Sequence, residues 1–426
     1  MTDHSITRRG LLAAAGTALV AGCSGLNRNG TSSSETISSA RLPEGIDTSE
    51  PLVVDDLPID IKQAYVRESE DRVLTVLSSL PMPLTQSAIP NGYIRQKLID
   101  AASDATTAVD AARSAHNRFQ AVLHLHDARV RARYAAAGWG AIEGQTTQAE
   151  LQTDHQQTVG AAQSLKQRHA YLGSDPIAAL LVHARIEHTL SAVLDGDGPS
   201  TYGIDESVLA VAEWGAHAKK ATSLVAESEH VYGRFQASMP DDSGTIERQL
   251  TTALETLSEE LKHRRDRLEP ESDDYDQGQI GQLLHRLRSD AERSVGDVTG
   301  TGRPASAILR ATTGLTEFDA YDRLKTRIAD GERVQVTEAS EIHDARHTAR
   351  TALTTALAES PQPAVARHIL GDLAARLVWT DERLARYQGD ITPAQLSDPV
   401  REYLSVTLRA KGVPAACQQL EKALQL

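Results

Sequence analysis

Several things are scarce in this sequence, and each scarcity closes a class of explanation. Of its 426 residues two are cysteines, Cys23 and Cys417, which leaves no room for a multi-cysteine metal site or a disulfide framework. Aromatic residues make up 4%, and the scattered Trp139, Trp214 and Trp379 read as packing and not as a ligand platform. Runs of β-branched residues are absent, which removes the usual signal for strands. Three catalytic signatures are missing as well: Gly-x-x-x-x-Gly-Lys, a strand-following Gly-x-Gly-x-x-Gly, and Gly-x-Ser-x-Gly. Nothing here announces an enzyme, and the chain is expected not to be one.

Lysine is scarce too. Nine of the 44 basic residues are lysines, and 58 acidic residues bring the net charge to −14. Asp3, Arg8 and Arg9 in the first 22 residues sum to +1, so the chain from Cys23 onward carries −14 − 1 = −15. Such a chain repels nucleic acid and anionic lipid heads, and no local Lys/Arg cluster argues otherwise; a nucleic-acid partner is excluded on this ground. Few lysines, many Asp and Glu, abundant Ala and Thr and few large aromatics are together similar to the proteins of salt-loving archaea.

What is present begins at the N-terminus. Arg8 and Arg9 precede an apolar run from Leu11 to Ala21, which ends in the small pair Ala21-Gly22. A positive start, a short apolar stretch and small residues at the cut make a secretory signal, and the stretch is too short to span a bilayer. Thr7-Arg8-Arg9-Gly10-Leu11-Leu12 resembles the twin-arginine signal, whose pathway exports folded proteins. Val20-Ala21-Gly22-Cys23 resembles the lipobox of bacterial and archaeal lipoproteins, which implies that Cys23 is lipidated and becomes the new N-terminus. The resemblance covers only this segment; the rest of the chain matches no family known to us from its motifs. Residues 1–22 are therefore expected to be removed, and the chain to be anchored at the outer, extracytoplasmic face of the cytoplasmic membrane.

Residues 23–58 hold the lipidation cysteine and a stretch rich in Ser, Thr, Asn, Gly and Pro. That composition buries too little apolar surface to order itself, and it predicts a flexible tether. Asn29-Gly30-Thr31 matches the N-glycosylation acceptor pattern, which makes Asn29 a candidate modification site. With Cys23 lipidated, Cys417 is left as a small buried hydrophobe.

From Ile59 onward the pattern is helical: Ala, Leu, Arg, Glu and Gln dominate, with apolar residues three and four apart. Punctuation by Gly, Pro, Asn and Asp predicts about ten helices and no sheet, an all-α fold of elongated antiparallel hairpins and coiled-coil bundles. The chain is expected to divide into a long hairpin bundle over 59–240 and a second bundle over 241–426. Breaks are expected at 240–244, 389–393 and 412–414, among other places. The clearest signal runs from Tyr93 to about Ala137. Ala102, Val109, His116, Leu123, Val130 and Ala137 recur every seven residues, with Ala105, Ala112, Phe119 and His126 at the other core position. Past a turn near residue 143, Leu151, Thr158, Leu165 and Leu172 repeat the spacing, with His155, Ala162 and His169 beside them. The two rows predict one antiparallel hairpin of two long helices.

That hairpin would place His116 level with His169. Two imidazoles meeting in a bundle can ligate a transition metal, or haem between them; otherwise they form polar layers that fix register. Glu227/His230 and Glu260/His263 each read Glu-x-x-His, the di-iron carboxylate motif, but both pairs are expected to face water, away from their apolar stripes. His343 and His347 share a helical face without the Glu of a His-Glu-x-x-His zinc motif. The leading expectation is thus a non-enzymatic scaffold or interaction protein, held to the membrane by its lipid and meeting other cell-surface proteins, with no cofactor. The competing expectation is a metal- or haem-binding redox or sensory lipoprotein using His116 and His169, with His126 or His155 in reserve. A hydrolase would require a pocket with paired carboxylates.

Overall fold

Twelve α-helices, one 3-10 turn (Ser39–Arg41) and one two-stranded ribbon make up the regular structure among the described residues. The computed structural model describes residues 36–43, 51–199, 207–241, 243–269, 278–298, 302–331, 333 and 336–425. Arg8, Arg9, Cys23 and Asn29 lie outside them. The fold is all-α, as the composition requires.

Local chemistry accounts for the helix starts. Asn91 accepts hydrogen bonds from the backbone N–H groups of Tyr93 and Ile94 and opens α2 (Gly92–Arg113). Asn117 accepts one from Gln120 and opens α3 (Arg118–Ile142). Thr147 and Glu150 form a reciprocal capping box on α4 (Gln148–Arg168). Asp175 caps α5 (Pro176–Leu194), whose first residue is the proline that tolerates a missing donor there. Each device satisfies backbone donors that the first turn leaves unpaired. α1 (Gln63–Ser78) precedes this series, and α6 (Val208–Ser238) follows it.

The remaining helices are α7 (Glu247–Asp266), α8 (Gly278–Asp297), α9 (Pro304–Ala329), α10 (Ala339–Glu359), α11 (Pro363–Ala385) and α12 (Pro393–Ala423). Helix α12 runs straight through the break expected at 412–414, with Pro399 and Pro414 inside it. Its buried residues, from Leu396 to Ala423, pack against α7, α8, α9, α10 and α11. Tertiary packing on so many sides outweighs the roughly 3 kcal/mol that an interior proline costs.

The expected hairpin is rearranged. Residues 114–117 interrupt the 93–137 run, so α2 and α3 are two antiparallel helices and not one. Helix α4 then packs on α6 and α5, while α3 packs on α2 and α6. Close approach is possible because the α3–α6 contact is lined with small residues: a Cβ added to Gly215 would stand 2.3 Å from that of Ala137.

Helix α5 is the central element. It is long and apolar enough to cross a membrane by length and composition alone. Here twelve of its nineteen residues are buried against α4, α6, α9 and α11, so its apolarity is spent inside the protein. Burying Leu180, Val182 and Ile186, all 0% exposed, stabilises the fold by about 1.5–3 kcal/mol each.

Two boundary expectations change. The described part of the tether is not free: Ile37, Leu42, Val53 and Leu57 are buried in the main core. Strand β1 (Ile37–Ser38) pairs antiparallel with β2 (Asp390–Ile391), Ile37 opposite Ile391. A few apolar residues among the Ser and Pro of 36–58 are enough to dock the segment. The two expected bundles, 59–240 and 241–426, share a core. One hydrophobic cluster includes Leu180 and Ile186 of α5 together with Leu257 of α7, Ile308 of α9 and Leu396 of α12, and Thr36–Leu426 make one compact unit.

Candidate functional site

Where the two halves meet, α5 and α9 cross beside α8, α11 and the 55–57 segment, and a cleft of about 560 Å³ opens between them. Pockets of about 300–1,000 Å³ accommodate small ligands and short chain segments. Its sides are charged. Arg185 and His188 come from α5, Asp290, Arg293 and Asp297 from α8, Arg310 and Glu317 from α9, His368, Asp372 and Arg376 from α11, and Asp55 from the entering segment. Leu181, Leu309 and Phe119 supply the apolar surface.

Several of these charges are paired, Arg293 with Asp290 at 3.1 Å and His368 with Asp55 at 3.8 Å. Arg185 bonds Glu227 at 2.5 Å, a carboxylate 2% exposed, and its guanidinium lies 5.3 Å from the Phe119 ring centroid. Glu227 therefore does not face water as its helical phase suggested, because α3, α4 and α5 all pack on α6 and it lies on a covered side, while Lys220, Thr222 and Glu229 stay exposed. Arg409, 1% exposed, donates to both oxygens of Glu317 at 2.7 and 2.8 Å and to Asp290 at 2.7 Å. Burial pushes the Glu317 carboxyl up and the Arg409 charge pulls it down. The two carboxylates share a guanidinium and not a proton, which is the reverse of a catalytic acid/base pair.

Arg310 differs from its neighbours. Its Nε and Nη2 are buried and have no hydrogen-bond partner. Beside it, burial holds the His188 imidazole below its ordinary range, with the charges of Arg185, His368, Arg310 and Lys220 pushing the same way. Burial is the larger cause and the neighbouring cations add to it. That end of the cleft is suited to receive an anionic group; a planar guanidinium binds carboxylate or phosphate in two-pronged fashion.

The histidines singled out by spacing are distributed otherwise. His116 is exposed in the α2–α3 link, outside any core layer. His169, at the end of α4, places Nε2 2.8 Å from Nδ1 of His183, with Tyr171 and Tyr232 ringed around it. The structure thus does not bring His116 and His169 together as a metal or haem pair, because the turn at 114–117 and the displacement of α4 onto α6 remove the register that would pair them. His126 is half-buried, and burial followed by the charges of Arg185 and Arg129 holds it at about 4. His155 lies against His217 and Trp214. His230 stacks on Tyr65, centroids 3.9 Å apart. Glu260 bonds Arg264 at 2.7 Å, and the His263 side chain is 64% exposed. His343 donates from Nε2 to the carbonyl of Arg41 at 3.0 Å, and His347 lies on a separate groove. Among the described residues no group of three or more His, Cys, Asp or Glu stands where it could hold a metal.

Two family models match the chain, one after the other. Residues 64–242 match a domain of unknown function (DUF8262), and residues 247–422 match another domain of unknown function (DUF8264). The seam between the two models falls on the α6–α7 link, and the cleft lies between the DUF8262 segment and the DUF8264 segment, closed on one side by Asp55–Leu57, which neither model includes. No curated protein and no solved structure matches this chain.

Sequence reasoning missed the cleft because its residues are single polar positions on separate helices. One signal was available: Arg185, Glu187 and His188 are polar interruptions of a largely apolar α5, and such groups must meet something polar.

Proposed function

We propose that this protein is a lipid-anchored, extracytoplasmic interaction protein without a catalytic role, and that the cleft between its halves receives an acidic group of a cell-surface partner protein. The observation that carries the reading is Arg310, whose buried Nε and Nη2 lack partners. Leaving buried donors unpaired costs about 1–3 kcal/mol, and an incoming carboxylate or phosphate would recover it. The anchor rests on the Arg8-Arg9 and Val20 to Cys23 motifs. The cofactor alternative, a transition metal or haem at His116 and His169, receives no support from the geometry, since His169 is occupied with His183 and His116 stands apart at the surface.

Two measurements test the proposal. Mass spectrometry of the exported protein should find a lipid-modified Cys23 at the N-terminus, and Cys23→Ser should release the chain from the membrane fraction. Titration of the full chain with a short glutamate-rich peptide should show binding that Arg310→Gln weakens at least tenfold. Equal binding by wild type and Arg310→Gln overturns the cleft as the site.

A further inference from the structure

Helices α4 and α6 run side by side in the same direction. Thr147 and Ser207, the caps that open them, line one cavity, and further along Thr158 Oγ1 lies 3.3 Å from Thr222 Oγ1. Between these two points the helices bring together His155 of α4 and His217 of α6, with ring centroids 4.5 Å apart and planes inclined by 53°. Trp214, one turn before His217, stands edge-on to both imidazoles, 6.2 Å from His155 and 5.6 Å from His217. Neither histidine belongs to the cleft between the halves.

Each imidazole keeps one nitrogen out of solvent without a hydrogen-bond partner, Nδ1 of His155 and Nε2 of His217. A buried polar atom left unpaired is costly, and two of them on facing rings call for a shared partner. Burial favours the neutral form of His155; burial, then the neighbouring His155 and Lys220, favours the neutral form of His217. Neutral imidazole is the form that ligates a metal. Lys220 is exposed, where water and salt weaken its repulsion of an incoming cation. The ring separation fits a single ion. With each nitrogen about 2.0 Å from the metal and the ring centre roughly 1.1 Å beyond it, centroids 4.5 Å apart subtend about 90° at the ion. Neighbouring ligands at a right angle suit the tetragonal geometry of Cu(II) and Ni(II), and Cu(II) heads the affinity order.

We propose that His155 and His217 form a metal site that takes one divalent ion of tetragonal preference, Cu(II) foremost, beside Trp214. Among the described residues no third His, Cys, Asp or Glu joins the pair, so water would complete the coordination. The ion would satisfy both nitrogens at once and tie α4 to α6. A hard cation such as Mg(II) prefers oxygen ligands and would gain nothing from two imidazoles. The site is independent of the acidic-group cleft, and each stands or falls without the other.

The test uses the full chain carrying Cys23→Ser, so that the thiol does not compete for the ion. Cu(II) is titrated by calorimetry and by tryptophan fluorescence, and Mg(II) serves as the comparison. Cu(II) is expected to bind at least tenfold more tightly than Mg(II) and to quench the fluorescence. His155→Gln and, separately, His217→Gln should each reduce the copper affinity at least tenfold at unchanged helicity, while His347→Gln, on a different helix, leaves it as it was. Trp214→Phe should keep the affinity and lose most of the quenching, because the ion would lie beside that indole. Unchanged copper affinity in His155→Gln or in His217→Gln overturns the proposal, as does equal affinity for Cu(II) and Mg(II). Should either histidine substitution unfold the chain, Trp214→Phe decides with both imidazoles in place: loss of the quenching supports the site, and its retention overturns it.

Discussion

Nε2 of His169 stands 2.8 Å from Nδ1 of His183, and His183 Nε2 stands 2.8 Å from the carbonyl of Leu172. A carbonyl only accepts, so neutral His183 carries its proton on Nε2 and uses Nδ1 as the acceptor; His169 donates from Nε2. The pair is a chain of hydrogen bonds that needs at least one of the two rings neutral, since two imidazolium ions have no acceptor between them.

Acid should break it. Burial, with the neighbouring His183 second, holds His169 at about 4 against an ordinary 6.5, and His126 is held at about 4 for the reasons given above. His183 is shifted in the same direction by burial. The unfolded chain binds these protons first, so stability is full above 6.5 and is lost as the pH falls toward 4. The urea midpoint should drop between about pH 7 and pH 5, above the range where carboxylates titrate. A midpoint that is flat over that interval contradicts the assignment.

Glu187 ties the halves together. From α5 it accepts hydrogen bonds from the backbone N–H groups of Ala305 and Ser306 at the start of α9, at 3.2 and 2.6 Å, and from the Tyr171 hydroxyl at 2.6 Å. It caps another segment's helix. Glu187→Ala should cost roughly 2–4 kcal/mol, the scale of a few charged hydrogen bonds lost in a buried place, measured by urea unfolding. A loss below about 0.5 kcal/mol, the size of an ordinary surface change, would show that the cap is dispensable.

Removing Arg409 should be worse. Its guanidinium neutralises Glu317 and Asp290, and Arg409→Ala would leave both carboxylates without it, at a cost of about 3–5 kcal/mol. Adding Glu317→Gln should recover part of that loss, because one stranded charge is then gone. Additive losses in the double variant would place the energetic role elsewhere.

Cys417 should be inert in the native state. Its thiol is buried among apolar residues at 0% exposure, and burial pushes it up to about 12. The thiolate is the reactive form, so a thiol reagent should label Cys417 only on unfolding. Rapid labelling of the folded protein would show that the α12 core opens easily.

The helical class was legible because caps and breakers are local: Asn91, Thr147, Asp175-Pro176 and Thr392-Pro393 mark starts that the structure uses. The α2–α3 turn was hidden because the seven-residue spacing from Val109 to His116 to Leu123 carries on across it, although Asn117 was a readable cap. Pro414 misled in the other direction, since packing on neighbouring helices keeps α12 intact. Glu227 shows the limit of helical phase: a helix covered by α3, α4 and α5 buries more than the one apolar stripe its phase marks out. The cleft was hard to read, because Arg310 meets the other residues lining it only from helices remote in sequence.

The β1–β2 ribbon has a mechanical meaning. Ile37 and Ser38 pair with Ile391 and Asp390, and Ser39 N–H donates to the carbonyl of Gly389 at 2.8 Å. A pull applied to the chain ahead of Thr36 loads this short ribbon before it loads any helix. A few hydrogen bonds and the buried Ile37 side chain would give way first, letting out slack while the helical body stays folded. The smallest element of the fold would thus act as its fuse.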